Sequence, residues 1–302
     1  MKLLITGATG LLGSEIVRQA HIQDIPVNYL TTRKAKIQDD PKYNGFYWNP
    51  RENYMDYEAL NGVTHIINLA GATIFQRWTE ESKNVILQSR VLSASTLQHA
   101  LEQNTNQVSH VVNASAIGIY PTDFTDKQYN EDADVHAHNF LADVVEQWEL
   151  AADKIGKAGV GVCKVRIGII LSNDGGALPK MTQPVRYGIG AGFASGNQWQ
   201  SWIHIEDLAR LFLECCREEY NGIYNGVAPE PIRNREMIET IGRVLNRPVW
   251  LPNIPEFVLK LMMGEMRQVL TSSNNVSSDK VEKTGFFFKF QEFEAAARNL
   301  LT

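Results

Sequence analysis

The sequence predicts an α/β protein, a doubly wound parallel sheet with a smaller C-terminal lobe. Three observations carry that prediction. Strand-length apolar runs alternate with helix-length periodic segments through residue 171 of 302, as expected of parallel strands joined by right-handed crossovers. The first, fourth and later runs are almost continuously apolar, as strands covered on both faces require. The first run, opening the stretch KLLITGATGLLG at 2–13, passes into Gly7, Gly10 and Gly13 and then an amphipathic segment at 14–20, a strand–turn–helix order.

Residues 26–31 (PVNYLT) read as the second strand, 46–48 as a short third, and 65–69 (HIINL) as the fourth. A long helix spans 79–103, with Val85, Leu92, Leu97 and Leu101 at helical spacing, followed by a strand at 109–114, a helix at 139–156 and one apolar strand at 162–171. Residues 172–202 lose periodicity and read as a loop region rich in Gly, Pro, Ser and Trp. Beyond them, 204–217 is helical in its second half and 223–226 is a short strand. Residues 234–245 form a helix with Asn234 as N-cap. A turn at 248–255, an apolar helix at 257–270, a strand in FFFKF and a final helix complete the chain. Two units result: a dinucleotide-binding domain at 1–171, which can recruit later segments at about 203–228, and a substrate lobe with a small C-terminal domain at 172–302.

Composition narrows the function classes. A net charge of −5 gives no general attraction to nucleic acid or an anionic membrane. Cys163, Cys215 and Cys216 lack metal or CxxC spacing and read as reduced thiols of a cytoplasmic protein. The chain starts on a strand without a signal-peptide pattern, and no apolar run reaches membrane-spanning length. No metal site is expected. A homodimer through the helices at 79–103 and 139–156 is compatible with the pattern, as is burial of their apolar faces against the sheet.

The glycine turn is the first candidate site. Gly7, Thr9, Gly10, Leu11, Leu12 and Gly13 present backbone at a helix N-terminus, where a pyrophosphate can approach free N–H groups. The end of the second strand then sets the type of dinucleotide. A carboxylate there would bind a ribose 2′-hydroxyl, but the chain has Thr32, Arg33, Lys34 and Lys36, with no acid before Asp39. A guanidinium pairs a 2′-phosphate bidentately, so the expected cofactor is NADP(H). Asn68, Leu69, Ala70 and Gly71 end the fourth strand beside the cofactor, with Arg90 on the following helix as a further candidate contact. Arg166 lies in an apolar strand and must be paired. An ion pair with Glu149 or Asp207, or a contact to cofactor or substrate, would serve.

The stretches GATGLLG (7–13), INLAGA (67–72), RWTEESKNVILQSR (77–90), SAIGIY (115–120), FLADVVEQWE (140–149), VRIGIILSNDGGALPKM (165–181), SGNQWQSWIHIEDLA (195–209) and YNGVAPEPIRNREM (224–237) span nearly the whole chain. Through them it resembles the extended short-chain dehydrogenase/reductases, specifically the NAD-dependent epimerase/dehydratase-like proteins of the 39U type, with their small C-terminal domain. The resemblance implies a Rossmann fold and a Ser, Tyr and Lys catalytic set. Ser115 matches the serine. The Tyr-x-x-x-Lys positions fall on Phe140/Val144 or Leu141/Val145, which carry neither phenol nor ammonium, so the usual proton donor is absent.

Two functions are compatible with these residues: an oxidoreductase or epimerase-like enzyme on an unknown small molecule, or an NADP(H)-binding sensor without turnover. For the first, Tyr120 leads the replacement proton donors, ahead of His136, His138 and His204. His204 is otherwise expected to orient a loop by bonding Asp207. Lys180, Arg186, Gln198, Trp199, Ser201 and Trp202 form a polar and aromatic set suited to a substrate.

Overall fold

The computed structural model describes residues 1–134 and 136–302. Its centre is an eight-stranded sheet. β1 (Leu3–Thr6) is followed by α1 (Leu11–Ile22), β2 (Val27–Thr31), β3 (Tyr43–Asn49), β4 (Tyr54–Met55), β5 (His65–Asn68) and α2 (Glu80–Gln103). Then come β6 (His110–Ala116), α3 (Phe140–Ile155), β7 (Gly161–Ile167), β8 (Ile169–Leu171), α4 (Leu178–Arg186), β9 (Trp199–Gln200), β10 (Trp202–His204), α5 (Ile205–Arg217) and β11 (Gly222–Gly226). The chain ends with β12 (Ile232–Arg233), α6 (Asn234–Val244), α7 (Glu256–Met263), α8 (Gln268–Thr271), α9 (Asp279–Glu282) and α10 (Phe293–Leu301). The sheet order is β11-β7-β6-β5-β1-β2-β3-β4. Every neighbouring pair is parallel except the β3–β4 edge.

Alternate residues of each strand feed two apolar layers, which is why the central strands read as continuous apolar runs. Leu3, Ile5, Val27 and Val112 pack with Ile16 of α1 and Leu208, Leu211 and Phe212 of α5. From the opposite face Leu4, Leu30, Ile66 and Val111 meet Leu97 and Leu101 of α2 and Ala151 and Ile155 of α3. The doubly wound Rossmann-type sheet expected from the sequence is present. A further core joins Leu178 and Met181 of α4, Trp202, Met237 and Ile241 of α6, and Phe293 and Ala297 of α10.

Several local expectations are corrected. The apolar run 162–171 is two strands, because at Gly168 the chain leaves the main sheet and β8 pairs with β10 instead. A Cβ at Gly168 would stand 2.6 Å from the Ser201 carbonyl oxygen, so only glycine allows that approach. The loop assigned to 172–202 contains α4, β9 and the start of β10; α4 carries Pro at its start and Pro184 inside, residues that signal interruption in a sequence. Helix α5 begins at Ile205 rather than midway through 204–217.

Asn234 is the first residue of α6 and not its N-cap. Its side chain accepts from the Phe193 N–H at 2.8 Å. The apolar segment 257–270 breaks at Gly264, where φ is +61°. FFFKF is not a strand, although Phe286, Phe288 and Phe290 are buried with the alternation of one. Its backbone N–H groups at Lys289 and Phe290 donate to the Asp207 carboxylate, at 3.0 and 2.9 Å, instead of to a neighbouring strand.

Candidate functional site

The sheet registers place three strand ends together. Thr6 lies opposite Leu30 of β2 and Asn68 of β5, so the chain leaves β1 at Gly7 between the ends of both neighbours. Gly7 adopts a φ of +70° and its carbonyl accepts from the Gly10 N–H at 2.9 Å. Helix α1 starts at Leu11 with Gly10 as its cap residue, no side-chain cap bond and no acid in its first turn. Its leading N–H groups are thus left for an anion. A Cβ on Gly13 would stand 2.2 Å from the Gly7 carbonyl oxygen, so glycine lets α1 sit tight against the turn. Thr9 and Gly10 are exposed, Leu11 lies against Gly175 and Gly176, and the Leu12 side chain belongs to the core.

Thr6 fixes this arrangement, a role the sequence reading missed although a polar residue closing an apolar strand is its signal. The Thr6 hydroxyl donates to Asn68 Oδ1 at 2.7 Å and accepts from the Leu69 and Ala70 N–H groups at 2.9 and 3.0 Å. Asn68 in turn donates to Asn113 and accepts from Ser93, tying β1, β5, β6 and α2 together. Thr6→Val is expected to cost about 1–3 kcal/mol, since it leaves the Leu69 and Ala70 N–H groups without their acceptor. Chemical denaturation of the purified variant measures it.

At the end of β2, Thr32 and Arg33 are exposed. The Arg33 N–H donates to the Thr31 hydroxyl at 3.1 Å, while Lys34 lies over the Tyr47 ring, 4.9 Å from its centroid. Beyond β5, Leu69 and Ala70 are partly buried and Gly71 is exposed. Arg90 packs beside Gly71, donates to the Ala72 and Ile86 carbonyls at 3.1 and 2.9 Å, and covers the Trp148 ring. Burial pushes its pKa down to about 10.

Ser115, Tyr120 and Arg166 come together in a buried cluster instead. Arg166 makes a two-pronged pair with Glu149, at 2.8 and 2.9 Å, settling its partner among the alternatives open in the sequence. The Ser115 hydroxyl donates to the same carboxylate at 2.6 Å. The Tyr120 hydroxyl donates to Asn225 Oδ1 at 2.8 Å and accepts from Arg166 at 3.0 Å. Its ring is fully buried, and that burial raises the phenol pKa despite Arg166. Burial alone would also raise the Glu149 carboxyl, but Arg166 and Ser115 outweigh it and hold its pKa below the ordinary value. Where a Tyr-x-x-x-Lys pair would stand, Phe140 and Val144 pack with Trp78 and Ile86, and Val145 packs with Ile117 and Tyr120.

The histidines divide. His204 caps α5 by accepting from the Glu206 N–H at 3.1 Å, lies 3.2 Å from Asn299 and stacks on Phe290. It does not bond Asp207, whose carboxylate is taken by Arg210 and the 289–290 backbone. His136 and His138 line a cleft of about 590 Å³ bounded by 121–124, 136–139, 194–195, Glu256 and 268–272. His136 Nδ1 lies 2.9 Å from Glu146. Within the expected substrate-side set, Gln198, Ser201 and Trp202 are buried, Lys180 lies over Phe75, Arg233 covers Trp199, and Arg186 is exposed. Among the described residues, no helix is long and apolar enough to cross a membrane, and no cluster of His, Cys, Asp and Glu could hold a metal.

Comparison with known proteins agrees with this geometry. Epimerase family proteins of Staphylococcus haemolyticus and Staphylococcus aureus are 36% and 35% identical to the chain. Those alignments run over 303 and 301 residues, covering 99% of this chain and 99% and 98% of theirs. The human epimerase family protein SDR39U1, solved with NADPH, matches at a TM-score of 0.86 and 26% identity over 99% of both chains. A nucleoside-diphosphate sugar epimerase from Corynebacterium glutamicum matches at a TM-score of 0.80 and 25% identity, over 100% of this chain and 58% of its own. Residues 254–300 match a domain of unknown function. Residues 3–225, from the first strand of the glycine turn almost to the end of the last sheet strand, match the NAD-dependent epimerase/dehydratase family, and the chain belongs to it.

Proposed function

We propose that the protein binds NADP(H) at the Gly7–Gly13 turn and acts on a small molecule as an oxidoreductase or epimerase-like enzyme without the Tyr-x-x-x-Lys pair. The observation that carries the choice of cofactor is the exposed Arg33 at the end of β2, with no acid between Thr31 and Gln38. The residues fit the group: the open first turn of α1 suits a pyrophosphate and the glycines permit its approach. The NADPH in the human relative supports the same reading. When bound, the nicotinamide supplies or accepts a hydride.

The chain supplies the rest. Backbone at Thr9, Gly10, Leu11, Leu12 and Gly13 receives the pyrophosphate, Thr32 and Arg33 receive the 2′-phosphate, and the 68–71 segment with Arg90 lines the opposite side. Ser115, Tyr120 and Arg166 position the end of β6, their polar groups being spent on Glu149 and Asn225. Proton transfer falls to His136, held by Glu146 in the cleft at the same edge of the sheet. The dinucleotide domain is 1–171 with 203–228, and 172–302 contributes the substrate lobe.

Arg33→Glu is expected to weaken NADPH about 10–100-fold, the worth of a charge-assisted bond, and to leave NADH unchanged or improved. Calorimetric titration of wild type and variant checks it, and equal losses for both cofactors refute the role of Arg33. A second reading, an NADP(H) sensor, is favoured by one observation: the two hydroxyls nearest the family's catalytic pattern are buried and committed. Loss of reduced-nicotinamide absorbance with any carbonyl compound, abolished in His136→Ala, supports the enzyme. Tight NADPH binding without turnover across a broad carbonyl panel supports the sensor.

A further inference from the structure

Arg90 is a cation with one edge unused. Its guanidinium is held by Nη1, which donates to the Ala72 and Ile86 carbonyls, and by the Trp148 ring, whose centroid is 4.9 Å from Cζ. Nε and Nη2 make no hydrogen bond among the described residues, and neither atom is sealed from solvent. Those two groups form the edge that grips a carboxylate through two parallel bonds. Arg166 shows this grip in the same chain, its Nε and Nη2 meeting both oxygens of Glu149. Among the described residues no carboxylate answers Arg90, and burial is the one influence on its pKa.

The guanidinium stands at the crevice. A Cβ on Gly71 would lie 3.1 Å from Arg90 Cζ, so glycine at this exposed position leaves it uncovered on that side. Two residues earlier, Leu69 comes within 3.3 Å of a Cβ placed on Gly7, which sets Arg90 on the β5 flank of the turn. Arg33 is on the other flank, after β2, in the order β6-β5-β1-β2. A dinucleotide with its 2′-phosphate at Arg33 therefore extends its nicotinamide half toward β5 and Arg90. A second cation borders the same loop. After Ala72 the chain turns tightly, the Thr73 hydroxyl accepting from the Phe75 N–H at 3.2 Å and the Ile74 carbonyl from the Gln76 N–H at 2.9 Å. The exposed Lys180 ammonium rests 4.4 Å from the Phe75 ring centroid, with no ion pair among the described residues. Its helix, α4, follows Gly176, which packs on Leu11 at the start of α1.

We propose that Arg90, assisted by Lys180, binds the carboxylate or phosphate of an anionic carbonyl substrate beside the nicotinamide, an inference resting on the assignment of NADP(H) to the glycine turn. The free Nε–Nη2 edge matches the two oxygens of a carboxylate, which favours a 2-oxo acid.

The test uses the full chain saturated with NADP+. Calorimetry first measures cofactor binding; its absence refutes the cofactor assignment, and the probes are then titrated on the chain alone by the same criteria. 2-Oxobutanoate and dihydroxyacetone phosphate are titrated beside their uncharged counterparts, 2-oxobutanamide and dihydroxyacetone. At least one anion should bind about tenfold or more tightly than its counterpart, and which one does so separates carboxylate from phosphate. Arg90→Lys keeps the charge and loses the fork, and should weaken that anion about 10–100-fold. Lys180→Met, whose ammonium touches only the Phe75 ring, should weaken it about 2–5-fold, the worth of an exposed ion pair. Binding of neither anion, or equal binding of each anion and its counterpart, overturns the proposal. So does unaltered anion affinity in folded Arg90→Lys or, where that variant does not fold, in Lys180→Met.

Discussion

Glu149→Gln is expected to destabilise the protein by about 3–5 kcal/mol, because removing one partner of a buried pair leaves an uncompensated charge. For a chain of this size that corresponds to a melting temperature lower by about 5–8 °C. The Arg166 guanidinium is almost fully buried, and Glu149 answers it with both carboxylate oxygens while also accepting from Ser115. An amide keeps the shape and loses the charge. Replacing both partners, as in Glu149→Leu with Arg166→Met, should cost less than the single change, since no lone charge is then buried. The pair also sets an acid limit. The Glu149 pKa is depressed in the folded state, so its stabilisation is complete above the unfolded carboxylate value of about 4.3 and is lost as pH falls through the lower folded value. The gap in melting temperature between wild type and Glu149→Gln should therefore narrow below about pH 4. A variant melting within about 2 °C of wild type at neutral pH would contradict this account.

Gly13→Ala is expected to abolish dinucleotide binding, with affinity falling about 100-fold or more, and to cost about 1–3 kcal/mol of stability from overpacking. The added methyl would stand 2.2 Å from the Gly7 oxygen and 2.8 Å from the Ala8 Cα. Both are backbone atoms of the turn itself, so relief requires α1 to move off β1, taking its first N–H groups with it. Gly175→Ala is the matched control. Its methyl meets only the Leu11 side chain, at an ordinary 3.5 Å, and both properties should be retained. Calorimetry with NADPH and thermal melting on the two variants distinguish a packing requirement from a general intolerance of alanine near the turn.

The sheet was legible in the sequence because its strands are buried on both faces, so β1, β2, β5 and β6 are apolar runs separated by periodic helices. What was not legible depended on partners distant in sequence. FFFKF carries a strand's alternation, yet Asp207, some 80 residues earlier, supplies the hydrogen-bond acceptor that a neighbouring strand would have supplied. Gly168 divides one apolar run in two through its contact with Ser201. The same limit applies at the site. The glycine turn and Arg33 are local patterns whose placement follows from the sheet. Tyr120 could be placed near the serine motif, but its commitment to Asn225 and Arg166 arises from β7 and β11 lying beside β6. The absent Tyr-x-x-x-Lys pair was readable outright, since Phe140, Leu141, Val144 and Val145 cannot supply a phenol or an ammonium in either register.

We propose a 2′-phosphorylated dinucleotide as the occupant of this crevice. Parallel calorimetric titrations of the wild-type chain with NADPH and NADH, at one pH and low salt, test it most directly. NADPH should bind at least about tenfold more tightly, as a charge-assisted contact from Arg33 requires; equal affinities, or tighter binding of NADH, would contradict it.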